Sequence, residues 1–169
     1  MFLSDVTYMA ETAAHFAEIE SINEEAFGPG RFARAAYKIR EGGPHEHALS
    51  FVAIHNDKVI ASVRLTRIAG DKGEALLLGP LAVRPAYKNR GIGRKLVAIA
   101  IEAARRAGEA CVLLVGDEPY YGPLGFRKIP NGQITMPRPV DPERILAYEI
   151  EPGSAAQLRG NVDHAARKR

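Results

Sequence analysis

The sequence of 169 residues predicts a single α/β domain in which helices flank a mixed β-sheet. Two observations support this class. Short alternating apolar segments in the first half predict antiparallel hairpins. Between residues 75 and 115, an apolar segment, a glycine turn, a helical pattern and a second apolar segment follow one another. That order is typical of a strand–helix–strand unit, so we expect parallel and antiparallel strands in one sheet.

The elements follow from hydrophobic spacing along the chain. Strands are predicted over residues 2–8, 49–54, 59–66, 75–83, 111–115 and 145–150. Helices are predicted over residues 11–27, 32–40 and 94–107, with a short helix or turn over 119–124. The segment 130–144 holds four prolines and is predicted to be a loop. The domain is expected to end at residue 152, and residues 153–169 are expected to form a basic, partly disordered tail.

The most informative stretch lies between Val83 and the predicted helix. Its residues are Lys88, Asn89, Arg90, Gly91, Ile92, Gly93 and Arg94. The two glycines let the backbone approach a bulky ligand closely. The helix that follows directs its free N–H groups and its positive end at the same place. Basic side chains surround the turn, so the stretch predicts a pyrophosphate-binding site.

Several ligands carry a pyrophosphate. A P-loop needs Ser or Thr after Gly-Lys, but Arg94 and Lys95 follow Gly93 here. A dinucleotide fingerprint needs a third glycine, and residue 96 is Leu. The segment 88–93 is instead similar to the acetyl-CoA motif of the GCN5-related N-acetyltransferases (the GNAT family). That motif is Gln or Arg, two residues, Gly, one residue, then Gly or Ala. Lys88 is a conservative departure from it.

Residues 78–83 and 116–126 strengthen this resemblance, because both segments resemble a bacterial subgroup, the YhbS-like acetyltransferases. The resemblance covers most of residues 1–150, and it implies that residues 1–152 form a GNAT domain with acetyl-CoA as co-substrate. It further implies that the strand 75–83 splays from its parallel neighbour and that the gap holds the pantetheine arm of CoA. Leu81, Ala82 and Val83 would contact that arm. Gly79 and Pro80 would form either a bulge or the end of the strand.

The resemblance also implies a general acid. Members of the family often carry a tyrosine four residues before a Gly-Phe pair, and Tyr121 has this spacing to Gly125. Its phenol would both contact the donor and protonate the departing CoA thiolate. The alternative is an ordinary core tyrosine. Tyr120 is expected to pack or to contact substrate. The asparagine that usually precedes this tyrosine is absent, and Gly116 and Asp117 stand near its place.

A general base is less well defined. Glu74 and Glu25 are candidates, although each is more often a surface charge, and a chain of water molecules could serve instead. His45 and His47 are expected to be solvated, so no metal site is predicted. Cys111 lies in a predicted buried strand and is expected to be an inert apolar residue, which argues against a cysteine intermediate.

These features predict an enzyme that moves acetyl from acetyl-CoA to an amine by direct attack in a ternary complex. The alternative is a non-catalytic acyl-CoA-binding regulatory module. The acceptor, a small-molecule or peptide amine, is expected between residues 25–40 and 128–144, where Arg31, Phe32, Arg34 and Tyr37 suggest a polar or anionic partner.

The remaining expectations concern partners and location. A basic tail could contact RNA, but nucleic-acid binding is not the expected function. A homodimer is an open possibility. No membrane-spanning run or secretion signal is visible, and one cysteine suits a reducing cytoplasm.

Overall fold

The computed structural model describes residues 5–168, apart from the side chains of residues 32 and 33. Its helices are α1 (Phe16–Phe27), α2 (Ala35–Arg40), α3 (Ile92–Arg106) and α4 (Glu118–Tyr121). Its longer strands are β1 (Thr7–Ala10), β2 (Phe51–His55), β3 (Lys58–Ala69), β4 (Glu74–Val83), β5 (Cys111–Val115) and β8 (Ile145–Glu149). Its two-residue strands are β6 (Arg127–Lys128), β7 (Ile134–Thr135), β9 (Gly160–Asn161) and β10 (Asp163–His164).

One mixed sheet organises the domain. Its strand order is β1-β2-β3-β4-β5-β8-β6, and β10 pairs with the far end of β3. The neighbours are antiparallel except β4 and β5, which are parallel and pair only at Leu76 with Val112 and at Leu77 with Leu113. The rest of β4 therefore runs on without a partner along that edge, as a splayed strand pair requires. The predicted mixed sheet flanked by helices is confirmed.

Helices cover both faces of this sheet because successive side chains of a strand point to opposite faces. Leu96 and Ala100 of α3 pack on one face, in a cluster that includes Val63 and Leu65 of β3. Ile19 and Ile22 of α1 lie in a separate cluster with Val52 and Ala82, while Ile39 of α2 packs with Ile68 and Leu77. The amphipathic spacing that predicts α3 thus also positions its first turn beside the end of β4.

A bulge interrupts β4 where the sequence predicts one. Val63 pairs with Leu81 and Leu65 pairs with Leu78, so Gly79 and Pro80 together face the single residue Arg64. Two residues opposite one define a β-bulge. The extra residue shifts the alternation of side chains and backbone groups along β4, just before the segment that borders the splayed edge.

Some element boundaries differ from the prediction. The first strand begins at Thr7, and residues 2–4 lie outside the described part. The first helix begins at Phe16 because residues 13–15 form a 3₁₀ turn. The loop 130–144 contains β7, which pairs with β9. No helix in residues 5–168 is long and apolar enough to cross a membrane.

Residues 153–168, for which the sequence predicts a partly disordered tail, pack against the rest of the domain in the structure. β10 pairs with β3, and Leu158, Val162 and Ala165 are buried. Their spacing of four and then three residues would suit one face of a helix, yet the segment forms short strands and 3₁₀ turns. Their partners lie far away in the sequence, so local patterns could not reveal this packing. Two of the tail's basic side chains form ion pairs: Arg167 lies 3.3 Å from Asp163, and Lys168 lies 2.7 Å from Asp71.

Candidate active site

The last residues of β4 present backbone groups to the splayed edge. The N–H of Arg84 donates to the carbonyl of Ile60 on β3 at 2.8 Å. Antiparallel pairs alternate between bonded and unbonded, so Ala82 also bonds to β3, whereas Leu81 and Val83 do not. The N–H and C=O groups of Leu81 and Val83 therefore point to the edge from which β5 has diverged. The backbone N–H and C=O of Ala82 are used by β3, so this residue lines the splayed edge without offering hydrogen-bonding groups to it.

The glycine turn places further donors beside this edge. Gly91 precedes α3 in a left-handed conformation, with φ of 80°, which a residue with a Cβ adopts only with strain. The first helical hydrogen bond runs from the N–H of Lys95 to the carbonyl of Gly91 at 3.0 Å. The N–H groups of Ile92, Gly93 and Arg94 consequently have no partner within the helix. They form a cradle of donors at the positive end of a helix 15 residues long.

Gly93 also needs its lack of a side chain for steric reasons. A Cβ at this position would lie 3.1 Å from the Tyr120 hydroxyl and 3.6 Å from the side chain of Val83. The first contact is tighter than most Cβ atoms tolerate. The absence of a Cβ keeps the helix start, β4 and Tyr120 close together.

These parts line one groove of about 950 Å³. Every residue predicted to bind the cofactor lies along it: Leu81, Ala82, Val83, Lys88, Asn89, Arg90, Gly91, Ile92, Gly93, Arg94 and Tyr121. Lys88 and Arg94 are exposed and Arg90 is partly so, which leaves their charges mobile at the rim. Their part in ligand binding stays a prediction, but the structure does bring them together.

A second cavity of about 600 Å³ opens on the α1–α2 side of the bulge. Its wall combines Gly79 and Pro80 with Val115, with Arg34 from the turn before α2, and with Arg144. The groove and the cavity share four lining residues: Phe27, Leu81, Tyr120 and Tyr121. A ligand in the groove and a second ligand in the cavity would therefore meet beside the two tyrosines.

Tyr121 stands at this junction and packs firmly. Its ring meets that of Phe126 edge-on at 5.8 Å between centroids, and a Cβ on Gly116 would collide with it. Burial raises the pKa of Tyr121 to about 12, with smaller contributions from Tyr120 and Asp117. The phenol is thus a neutral hydrogen-bond donor across the ordinary pH range.

Tyr120 lies between Tyr121 and the glycine turn. The two tyrosine rings meet edge-on at 4.7 Å, and the Arg94 guanidinium lies 5.4 Å from the centroid of Tyr120. Tyr120 therefore connects the phosphate cradle to the junction. The sequence predicts a packing or substrate role for it, and its position allows both.

The candidate bases lie elsewhere. Glu74 is the first residue of β4, exposed and paired across the sheet with Ala69, so most of the strand separates it from Leu81. Glu25 lies 3.7 Å from the Arg84 guanidinium. Neither residue lines the groove or the cavity. The structure therefore does not bring Glu74 to the catalytic position that the sequence suggests for it.

His45 differs from expectation, whereas His47 is exposed as predicted. His45 is buried, and its Nε2 lies 2.7 Å from a carboxylate oxygen of Glu11. The Arg64 guanidinium donates to both oxygens of Glu11, at 3.1 and 3.2 Å. Burial alone would raise the pKa of Glu11, but hydrogen bonds from His45 and Arg64 outweigh it and lower that pKa. One atom each of Glu11, His45 and His47 could approach a metal ion. The Glu11 carboxylate is already bound by the Arg64 guanidinium, however, whose positive charge would repel the ion.

Cys111 is buried as predicted, and burial raises the pKa of its thiol to about 11. Such a thiol is a poor nucleophile at neutral pH. Arg144 was not singled out by its sequence, because it follows a proline-rich loop with no recognisable motif. Its place in the cavity becomes visible only when β8 pairs with β5.

Solved structures of acetyltransferases share this fold. The YhbS protein of Escherichia coli in complex with CoA matches with a TM-score of 0.80 and 20% identity, over 97% of this chain and 92% of that one. A GNAT-family acetyltransferase from Brucella melitensis in complex with acetyl-CoA matches with a TM-score of 0.72 and 24% identity, over 96% and 97%.

Sequence comparison leads to the same group. The uncharacterized N-acetyltransferase YjhQ of Escherichia coli strain K12 is 30% identical over 157 residues, covering 89% of this chain and 86% of YjhQ. The family model described as acetyltransferase (GNAT) family matches residues 16–126. The resemblance inferred from the glycine turn and its flanking segments is confirmed, and the chain belongs to the acetyltransferase (GNAT) family.

Proposed function

We propose that this chain is an N-acetyltransferase that transfers acetyl from acetyl-CoA to an amine by direct attack in a ternary complex. The observation that carries the proposal is the junction of two spaces at Tyr121. One is a groove that fits a phosphate-bearing chain, and the other is a cavity from which an amine can reach the same point.

Acetyl-CoA suits the groove in three parts. The pyrophosphate accepts hydrogen bonds from the N–H groups at the start of α3, with Lys88 and Arg90 adding exposed positive charge. The pantetheine amides pair with the backbone of Val83 and Leu81, much as a β-strand partner would. The thioester then lies near the bulge, where one of these N–H groups can donate to its carbonyl oxygen. One such donor is worth about 2.7–4 kcal/mol in the transition state of acyl transfer.

The reaction is a simple displacement at the thioester carbon. The neutral amine of the acceptor forms the new C–N bond, and the carbonyl electrons move onto oxygen. When the carbonyl re-forms, the C–S bond breaks and CoA leaves as a thiolate. The amine nitrogen loses one proton and the thiolate gains one, so protons balance. Because neither Glu74 nor Glu25 lines the groove or the cavity, water is the proposed acceptor of the amine proton.

Tyr121 is the proposed donor to the departing sulfur. A thiol has an ordinary pKa of about 8.5, whereas burial holds the pKa of Tyr121 at about 12. Complete proton transfer from this phenol to the thiolate is therefore uphill. A hydrogen bond from the neutral phenol that strengthens as charge develops on sulfur has no such penalty, and solvent can supply the proton afterwards.

The test is thiol release from acetyl-CoA in the presence of a panel of small-molecule and peptide amines, with formation of the acetylated amine measured in parallel. Equal amounts of free CoA and acetylated amine are expected for any accepted amine. Tight acetyl-CoA binding without acetylation of any amine would favour the non-catalytic acyl-CoA-binding module instead.

A further inference from the structure

The cavity beside Tyr121 is lined by an arginine that forms no ion pair with a carboxylate of the described residues. Arg34 lines the cavity, and its guanidinium carbon lies 4.2 Å from the centroid of the Phe27 ring. Across residues 5–168, leaving aside the side chains of 32 and 33, no carboxylate forms an ion pair with Arg34. Such stacking on a ring fixes the plane of a guanidinium but leaves its edge N–H groups available.

A second arginine lies close to the first. Arg144 lines the same cavity. The pKa of Arg34 is lowered, first by partial withdrawal from water and next by the positive charge of Arg144. Two neighbouring guanidiniums repel each other, and an anion between or beside them would relieve that repulsion.

Neither of the two aspartates of the cavity forms an ion pair with Arg34. Asp117 accepts a hydrogen bond from Nε of Arg144 at 3.1 Å, so the two charges of that pair offset each other. Asp141 accepts from the backbone N–H of Glu143 at 2.9 Å, which caps the turn at residues 142–144. The formal charges of these two arginines and two aspartates sum to zero, but Arg34, which is exposed, has no ion-pair partner among the described residues.

We propose that the acceptor amine carries a carboxylate, which Arg34 binds with Arg144 close by. The substrate class is therefore amino acids or peptides with a free carboxylate, with the amine directed at the junction by Tyr121. A single unpaired guanidinium matches a monoanion, and its planar fork matches the two oxygens of a carboxylate. This inference rests on the proposed function, because it names the acceptor of the same reaction.

The experiment compares two acceptors that differ in one charge: γ-aminobutyrate and its primary amide. The ratio of their kcat/KM values is measured by thiol release for the unchanged protein, for Arg34→Met and for Arg34→Lys. We expect the acid to be favoured by about tenfold, since hydrogen bonds to charged groups are the strong ones. The ratio should fall to about one in Arg34→Met and only partly in Arg34→Lys. Arg138→Met is the matched control, because Arg138 is an exposed arginine outside the cavity lining.

A ratio near one in the unchanged protein, or a preference for the amide, would overturn the carboxylate proposal and leave the transferase intact. If no amine is acetylated, binding decides the matter. N-acetyl-γ-aminobutyrate and its amide are then titrated into the protein–CoA complex by calorimetry. Stronger binding of the acid that is lost in Arg34→Met supports the carboxylate site even without turnover. Equal or undetectable binding of both compounds overturns it.

Discussion

The groove and the cavity differ in how widely their lining residues are spread along the sequence. The groove is built almost entirely from residues 81–95, with only residues 26–27 and the two tyrosines added from elsewhere. The cavity draws on residues 27–36, 77–81, 114–121 and 139–144. A short contiguous segment can carry a recognisable pattern, whereas a wall assembled from four segments cannot. The difference therefore separates the residues that a local sequence pattern can identify from those that only the folded chain brings together.

The strongest way to test this comparison is to block the groove while leaving the cavity alone. In Gly93→Val, the Cβ of the added isopropyl group would lie 3.1 Å from the Tyr120 hydroxyl and 3.6 Å from the side chain of Val83, and its two methyl groups would crowd the same space further. We expect acetyl-CoA binding to become undetectable by calorimetry in a folded protein. Ala98→Val is the matched control, because Ala98 is exposed on the same helix. Unchanged affinity in a folded Gly93→Val protein would mean that the N–H groups at the start of α3 do not bind the pyrophosphate.

The second test acts where the two spaces meet. Tyr121→Phe keeps the ring packed against Phe126 and removes only the hydroxyl. We expect kcat to fall by about 10²–10³, the range for removing one hydrogen-bond donor to a charge that develops in the transition state, and toward the lower end because a thiolate is already a good leaving group. Acetyl-CoA affinity should change little, since the hydrogen bond strengthens only as the C–S bond breaks. Tyr120→Phe is the control for loss of a neighbouring hydroxyl.

The pH profile sharpens the same point. With the pKa of Tyr121 at about 12, the phenol keeps its proton well above pH 10. Ionisation of an ordinary tyrosine would begin to remove activity near its pKa of about 10. We therefore expect no decline of kcat near pH 10 that is caused by Tyr121. The pH profiles of the unchanged protein and of Tyr121→Phe should have the same shape in this range. Such a decline would mean that the phenol is more exposed to water than the structure indicates.

How much the sequence could predict follows the same division. Some features depend only on residues that are close together in the sequence and could therefore be predicted. They are the glycine turn, α3, the bulge at Gly79 and the spacing of Tyr121. The position of Glu74 could not be predicted equally well. Proximity in sequence to β4 suggested a base, but a strand extends by about 3.3 Å per residue, so five residues before the bulge is already far from the thioester. The packing of residues 153–168 could not be predicted either, because their partners on β3 are distant in the sequence.

The third test loosens the cavity without touching the groove. Leu158 is buried in the cluster that contains Ile134, Met136 and Ile145, beneath the loop that carries the cavity wall. Replacing a buried Leu by Ala costs about 2–5 kcal/mol of unfolding free energy. Leu158→Ala should lower the melting temperature clearly and raise KM for the acceptor more than the dissociation constant of acetyl-CoA. Ala156→Gly offers a control at an exposed position of the same segment. No loss of stability would mean that the tail does not pack as described.

The smallest effects are expected at the charged rim of the groove. Lys88 is exposed and Arg90 is partly so, hence water and salt screen their attraction for a phosphate. An exposed ion pair is worth about 0.2–1 kcal/mol. Lys88→Ala and Arg90→Ala should therefore weaken acetyl-CoA binding only a few-fold, and the loss should shrink as salt is raised. Gly93→Val should show no detectable binding at either low or high salt, because the substitution removes a space and not a charge. A Lys88→Ala defect as large as that of Gly93→Val, and unchanged in high salt, would mean that side-chain charge rather than the backbone cradle holds the pyrophosphate.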